Sequence, residues 1–166
     1  MSDVLPPLFV ASDLSDMGGS TVTDDRASAV GGAIRRRAGW HIAPEVRQVL
    51  ILDHDGGPVL RLPSLLVTEV HAVRDLTGSS PRDLTGWRWS AAGMIEGRGL
   101  PRGFRSVEVD LTHGYAECPE DLLKEAADGL ERRVVQESLG SRSVSYESGG
   151  GDSGTVERLY WLGPRP

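Results

Sequence analysis

Residues 106–111, Ser106-Val107-Glu108-Val109-Asp110-Leu111, alternate apolar with polar side chains without a break. Successive side chains of a strand point to opposite faces, so this period of two predicts a half-buried β-strand. The stretch sits at the end of a segment, residues 46–111, in which Val, Ile, Leu and Trp cluster in short runs separated by Gly, Pro, Asp and Ser. The middle of the chain therefore reads as β. Residues 46–53, the turn Asp55-Gly56-Gly57-Pro58 and residues 59–62 predict a hairpin, with Pro63 ending its second strand. Residues 65–73 form a further strand candidate. Trp87-Arg88-Trp89 places both indoles on one strand face, and Ala92-Gly93 lets the chain return through Met94 and Ile95.

Helical signals flank this β segment. From Thr23 to about Ala38 the side chains of Ala27, Val30, Ile34 and Ala38 share one face. Asp24 and Asp25 occupy the first turn, Arg35, Arg36 and Arg37 the last, and Gly39 follows, so both ends match the helix dipole. After His113-Gly114, Pro119 stands at a first helical position, followed by Leu122, Leu123, Ala126, Ala127, Leu130, Val134 and Val135 along one side. Near the N-terminus a short helix capped at Ser12 and broken by Gly18-Gly19 is expected in an acidic opening with five aspartates and no base in 25 residues. The expected class is α+β: a small helical bundle, residues 8–39 and 118–139, carrying an inserted antiparallel β-rich region at 46–111. Residues 1–147 form one domain and 148–166 a flexible linker and tail, rich in Gly and Ser around Gly149-Gly150-Gly151. The tail ends in an apolar group, Val156, Leu159, Tyr160, Trp161 and Leu162, which is too short for its own core and so folds back or docks on a partner.

Composition narrows the function classes. The chain has 166 residues, 39% apolar and 25% charged, which suits one ordinary globular core. Neither a membrane span nor an export signal is indicated, and the single Cys118 has no partner for a disulfide or a cysteine zinc site, so a cytosolic origin is expected. Arginine outnumbers lysine 17 to 1 and asparagine is absent, the bias of a GC-rich genome. A net charge of −6 argues against gripping nucleic acid through its phosphates, though not against a surface past which DNA slides.

Chemistry is not signalled. Asp53-His54-Asp55 lies in a predicted turn, where Asp and His are common, and reads as a solvated turn before it reads as a metal or acid–base site. His41 and His113 read as packed polar rings. Ser138, Ser141 and Ser143 lack a nucleophile elbow, Cys118 reads as an inert thiol at a helix start, and the glycine pairs match neither a Walker loop nor a dinucleotide fingerprint. No cofactor, metal or enzymatic activity is expected. The arginine triplet 35–37 reads as a dipole-matched solvated helix end. Trp87 and Trp89 read as core or subunit interface, with a carbohydrate- or peptide-binding platform as the alternative from another class.

Taken in order, several segments resemble one known pattern. These are Gly39-Trp40-His41-Ile42-Ala43-Pro44 after a helix, Leu52-Asp53 with Gly56-Gly57, and Leu60-Arg61-Leu62-Pro63-Ser64-Leu65 with Val67-Thr68-Glu69-Val70. Trp87-Arg88-Trp89, Gly93, Val109-Asp110-Leu111-Thr112-His113-Gly114-Tyr115 and residues 119–123 continue it. The chain thereby resembles the head-to-tail connector, or adaptor, proteins of long-tailed phages and prophages of GC-rich actinobacteria, over about residues 25–147. The resemblance implies a structural virion protein: a ring, dodecameric in related systems, between the portal and the next neck ring or tail protein, with DNA passing its lumen unbound. It implies location in the virion neck, with assembly in the host cytoplasm and no membrane. Within it, Trp40, His41, Pro44, Pro63, Thr112, His113, Gly114 and Tyr115 are structural motif residues, Trp87, Trp89 and Met94 a neighbour contact, and the apolar tail the portal anchor. Another neck protein, a stopper or tail-completion ring, is the alternative within the class. The ending Trp161-Leu162-Gly163-Pro164 departs from the family pattern.

Overall fold

A computed structural model describes residues 5–15, 22–138 and 160–162. The chain divides into two compact units, one formed by Met1–Gly39 with Cys118–Pro166, the other by Trp40–Glu117.

The first unit is helical. Its helices are α1 (Ala11–Ser15), α2 (Asp24–Ala38) and α3 (Glu120–Ser138), with α1 packed on both of the others. Helix α2 begins as its sequence dictates, since Thr23 is extended and its hydroxyl accepts from the Arg26 amide at 3.4 Å. It ends at Gly39, whose left-handed backbone (φ 82°) lets its N–H reach the Arg35 carbonyl at 2.9 Å. Ala27, Gly31, Ile34 and Ala38 form the buried face. A Cβ on Gly31 would stand 3.1 Å from Leu8 Cβ, so the bare helix surface there is what admits the buried Leu8-Phe9 segment. In α3, the amides of Leu122 and Leu123 bond the Pro119 carbonyl, and Leu122, Ala126, Ala127 and Leu130 are buried. Ser12 is not the cap of α1, which already begins at Ala11. Carboxylates take that role instead: Asp13 Oδ2 accepts from the Val10 amide and Asp24 Oδ1 from the Ala11 amide.

The second unit contains two antiparallel sheets. In chain order its strands are β1 (Val46–His54), β2 (Val59–Arg61), β3 (Val67–Asp75), β4 (Arg82–Asp83), β5 (Arg88–Ser90), β6 (Met94–Glu96) and β7 (Gly103–His113). One sheet runs β1-β7-β3-β4 and the other β2-β6-β5. The alternation read at 106–111 is realised in β7, where Val107, Val109 and Leu111 are fully buried. They share one core with Leu60, Leu62, Val67, Val70, Val73, Ile95 and Leu100, drawn from both sheets. Burying such side chains contributes about 1.5–3 kcal/mol each relative to exposure.

The predicted hairpin of residues 46–62 does not form. β1 pairs with β7, from Val46 opposite His113 to His54 opposite Gly103, whereas β2 pairs with β6 in the other sheet. β1 is nine residues long, and β7 satisfies its backbone groups over nearly its whole length, which the three residues of β2 could not do. The glycine turn instead carries the chain from one sheet to the other: Asp55 Oδ1 accepts from the Gly57 amide at 2.8 Å, and Gly56 takes φ 85°. The hairpin read at Ala92-Gly93 does form, as β5–β6. There the Gly93 amide bonds the Ser90 carbonyl at 3.0 Å.

Candidate functional site

Two of the motif segments, far apart in the chain, meet within the β unit. Ile42 presents its carbonyl to the Tyr115 amide at 2.7 Å, and Gly114 sends its own amide to Leu66 at 2.9 Å. Gly114 takes φ 102°, and a Cβ there would come within 3.0 Å of the Ile42 carbonyl and 3.2 Å of the Pro44 carbonyl. A side chain there is strained by conformation and would also crowd both carbonyl oxygens. Trp40 and Tyr115 stack at a tilt with centroids 6.2 Å apart, and His41 and His113 do so at 5.6 Å. His41 Nε2 donates to the Pro44 carbonyl across a cis Ala43-Pro44 bond. Thr112, between Leu111 and His113 on β7, faces the other side of the sheet, where its Oγ1 lies 2.8 Å from His71 Nε2. Pro63 lies elsewhere, just after β2.

Only part of this junction's polar character is bonded internally: among the described residues His113 Nδ1 is buried without a hydrogen-bond partner. His113 donates from Nε2 to Gln48 Oε1 at 3.2 Å, and burial, reinforced by nearby His41, holds its pKa down to about 4. At neutral pH the ring is uncharged and packed. Neither histidine presents an exposed acid or base.

The other chemical candidates are occupied in the same way. Asp53 Oδ1 accepts from the Arg105 amide at 2.7 Å, and Asp55 closes its own turn. His54 is not solvated as the turn reading expected; its side chain is nearly solvent-free and Nε2 donates to the Gly57 carbonyl at 3.0 Å. Burial pushes the Cys118 thiol up to about 12, with Asp121 and Asp13 adding to the effect against Arg35, so it stays protonated. Of the arginine triplet, Arg35 donates to the Pro6 carbonyl at 2.7 Å and Arg37 pairs with Glu125 at 3.4 Å. Among the described residues no group of three or more His, Cys, Asp and Glu comes together to hold a metal. No helix among them is long and apolar enough to cross a membrane.

Tryptophans 87 and 89 do not make one exposed platform. Trp87 packs half-buried against the core and its indole N–H donates to the Leu84 carbonyl at 2.9 Å. Trp89 stands opposite Ile95 on the outer strand β5, with its ring partly exposed. Met94, the neighbour of Ile95 in β6, faces the other way.

The tail is partly placed on its own helical unit. Tyr160 is buried and its hydroxyl donates to the Asp121 carboxylate, while the Leu162 amide donates to the Ala38 carbonyl at 2.9 Å. Between them Trp161 remains 53% exposed. Val156 and Leu159 lie outside the described residues.

The architecture has counterparts among solved structures. The chain shares its fold with proteins of particle necks. One is from the neck of a native gene transfer agent (GTA) particle computed with C12 symmetry, at TM-score 0.56 and 22% identity, covering 94% of this chain and 92% of that one. Another is from the neck of an empty GTA particle computed with C6 symmetry, at TM-score 0.56 and 21% identity, covering 98% and 96%. No protein-family model and no curated protein matches the sequence. At these identities the likeness is one of fold over nearly the whole of both chains.

Against that fold, the surface features missed in the sequence become visible. Phe104 is 90% exposed at the start of β7, and Val49 and Ile51 are 50% and 40% exposed on β1. The signal for Phe104 was present: it stands between Gly103 and Arg105, in a run of arginines and glycines that offers no core face. The signal for Val49 and Ile51 was ambiguous, because residues 49–52 are continuously apolar and show no alternation.

Proposed function

We propose that this chain is a structural component of the neck of a phage-like particle, acting as the adaptor ring between portal and tail. The observation that carries the reading is the near end-to-end likeness of fold to neck proteins of GTA particles. The ordered segments that resemble phage adaptors support it independently, and here two of them meet in one junction. In this reading the helical unit is the ring-forming body, and twelve copies close the ring. The acidic balance of the chain, −6, keeps DNA phosphates from being trapped in the lumen. The exposed Trp161, beside the anchored Tyr160, is the part of the tail offered to the portal. In this reading the role is structural rather than catalytic.

Cryo-electron microscopy of particles made with this chain tests the reading. Density for the fold in a ring directly on the portal is the expected result. Its absence from the neck sinks the proposal, and a ring found one position further towards the tail transfers the role to a stopper.

A further inference from the structure

The chain holds two Asp-Gly pairs, Asp55-Gly56 and Asp128-Gly129, and the fold treats them in opposite ways. Asp55-Gly56 stands in the turn between β1 and β2, with the Asp55 side chain 87% exposed. The turn is held from two sides: Asp55 Oδ1 accepts from the Gly57 amide at 2.8 Å, and His54 Nε2 donates to the Gly57 carbonyl at 3.0 Å. Among the described residues the Gly56 amide makes no hydrogen bond. Asp128-Gly129 lies inside α3, where the amide of Gly129 bonds the carbonyl one turn earlier, that of Glu125, and the backbone torsions are fixed.

An aspartyl carboxyl beside a free and unhindered amide can react with it. The Gly56 nitrogen attacks Asp55 Cγ, and the new N–Cγ bond closes a five-membered succinimide. The Cγ–O bond breaks as the ring forms, and the oxygen leaves as water, taking the amide proton and the carboxyl proton with it. Glycine favours the attack because no Cβ shields its nitrogen. The bond from the Gly57 amide assists twice: it keeps the carboxyl folded back along the main chain, and it stabilises the oxyanion of the tetrahedral intermediate. Water then reopens the ring. Addition at Cγ restores aspartate, whereas addition at the main-chain carbonyl of Asp55 breaks that carbon's bond to nitrogen and leaves the chain running through Cγ as isoaspartate.

We infer that Asp55 is a self-modification site, converting through a succinimide to isoaspartate, and that the same dipeptide at Asp128 is protected by its helix. The product places one additional carbon in the main chain where it crosses from one sheet to the other, and it removes the acceptor of the Gly57 amide. Gly56 is packed against Arg102, since a Cβ there would stand 3.0 Å from Arg102 Cβ, so the lengthened main chain meets a side chain rather than open solvent. None of this chemistry depends on the neck reading.

Prolonged storage of the folded full chain at neutral pH in heavy-oxygen water, followed by peptide mapping with electron-transfer fragmentation, decides it. Each ring opening leaves one heavy oxygen on the residue, and the fragmentation separates isoaspartate from aspartate. Label and isoaspartate at Asp55 are expected to exceed those at Asp128 by about tenfold or more, because the Gly129 amide is released only when the helix opens. Equal label at the two positions, label at Asp128 alone, or no label at Asp55 overturns the inference. Two variants check the route. Asp55→Asn keeps an oxygen acceptor for the Gly57 amide and releases ammonia in place of water, so it should convert faster than the wild type, with isoaspartate as the main product. Asp55→Glu would have to close a six-membered ring and should lose the label. An Asp55→Asn chain that keeps its amide, or an Asp55→Glu chain that still gains heavy oxygen at that position, also overturns the inference.

Discussion

Tyr160 donates its hydroxyl to Asp121, 2.9 Å from Oδ1 and 3.1 Å from Oδ2, and so ties the end of the chain to the first turn of α3. A hydrogen bond to a carboxylate contributes about 1.5–3 kcal/mol when shielded and less when the acceptor reaches water, as Asp121 does. Tyr160→Phe should therefore lower the unfolding free energy by about 1 kcal/mol. Tyr160→Ala, which also empties a buried ring site, should cost about 3 kcal/mol. Chemical denaturation of the three proteins measures both, and equal midpoints would show that the tail adds nothing to the helical unit.

Its neighbour Trp161 predicts the opposite division between stability and function. The ring is half in solvent, so Trp161→Ala should change stability by no more than about 0.5 kcal/mol. If the tail anchors the portal, the same change should lose most joining of heads to tails in an in vitro complementation assay. Full joining by this variant would remove Trp161 from the anchor, and a large loss of stability would show that the ring is structural.

What was legible in the sequence was whatever local chemistry decides. Thr23, Asp24, Asp25, the arginines at 35–37 and Gly39 bound α2 because caps and dipole contacts act within one turn. Val107, Val109 and Leu111 announced β7 because one buried face imposes a period of two. Partner choice was not legible. The Asp55-Gly56-Gly57 turn favours a hairpin locally, yet β1 gains more backbone bonds from β7 at the far end of the unit. The meeting of Trp40 to Pro44 with Thr112 to Tyr115 is equally non-local, so those residues could be quoted as a pattern but not placed. Burial of Tyr160 beside exposed Trp161 depends on Asp121, which nothing in the tail reveals.

Gly93 is the position where substitution should be most damaging. A Cβ built on it would lie 2.0 Å from the Ser64 carbonyl oxygen, a backbone atom that cannot swing aside, and its φ is 76°. Gly93→Ala should cost more than about 4 kcal/mol or abolish folding of the β unit. Gly86 and Gly99 have similar φ, 74° and 77°, but nothing within 4 Å of the added carbon. Alanine there carries only the conformational penalty, about 1 kcal/mol. Circular dichroism melts of the three variants separate space from conformation, and an intact Gly93→Ala protein would contradict the packing of Ser64 against this turn.

His113 makes the fold sensitive to mild acid. Its pKa falls from 6.5 to about 4 on folding, through burial first and the neighbouring His41 second. Between those values the unfolded chain binds the proton and the folded chain does not, so stability rises with pH across the interval. Acidification should begin to weaken the protein near pH 6.5 and its effect should level off near pH 4. The full loss is on the order of 3 kcal/mol, since each pH step of one between the two values is worth about 1.4 kcal/mol. Asp75 titrates in a lower window. Its bonds from Thr77 and Arg82 hold its pKa down to about 2 from 3.8, so its contribution disappears only below the range in which His113 acts. Urea midpoints at pH 7.5, 6, 5 and 4 should therefore fall steadily in the wild-type chain and much less in His113→Gln. Parallel slopes for the two proteins would show that another group carries the acid sensitivity.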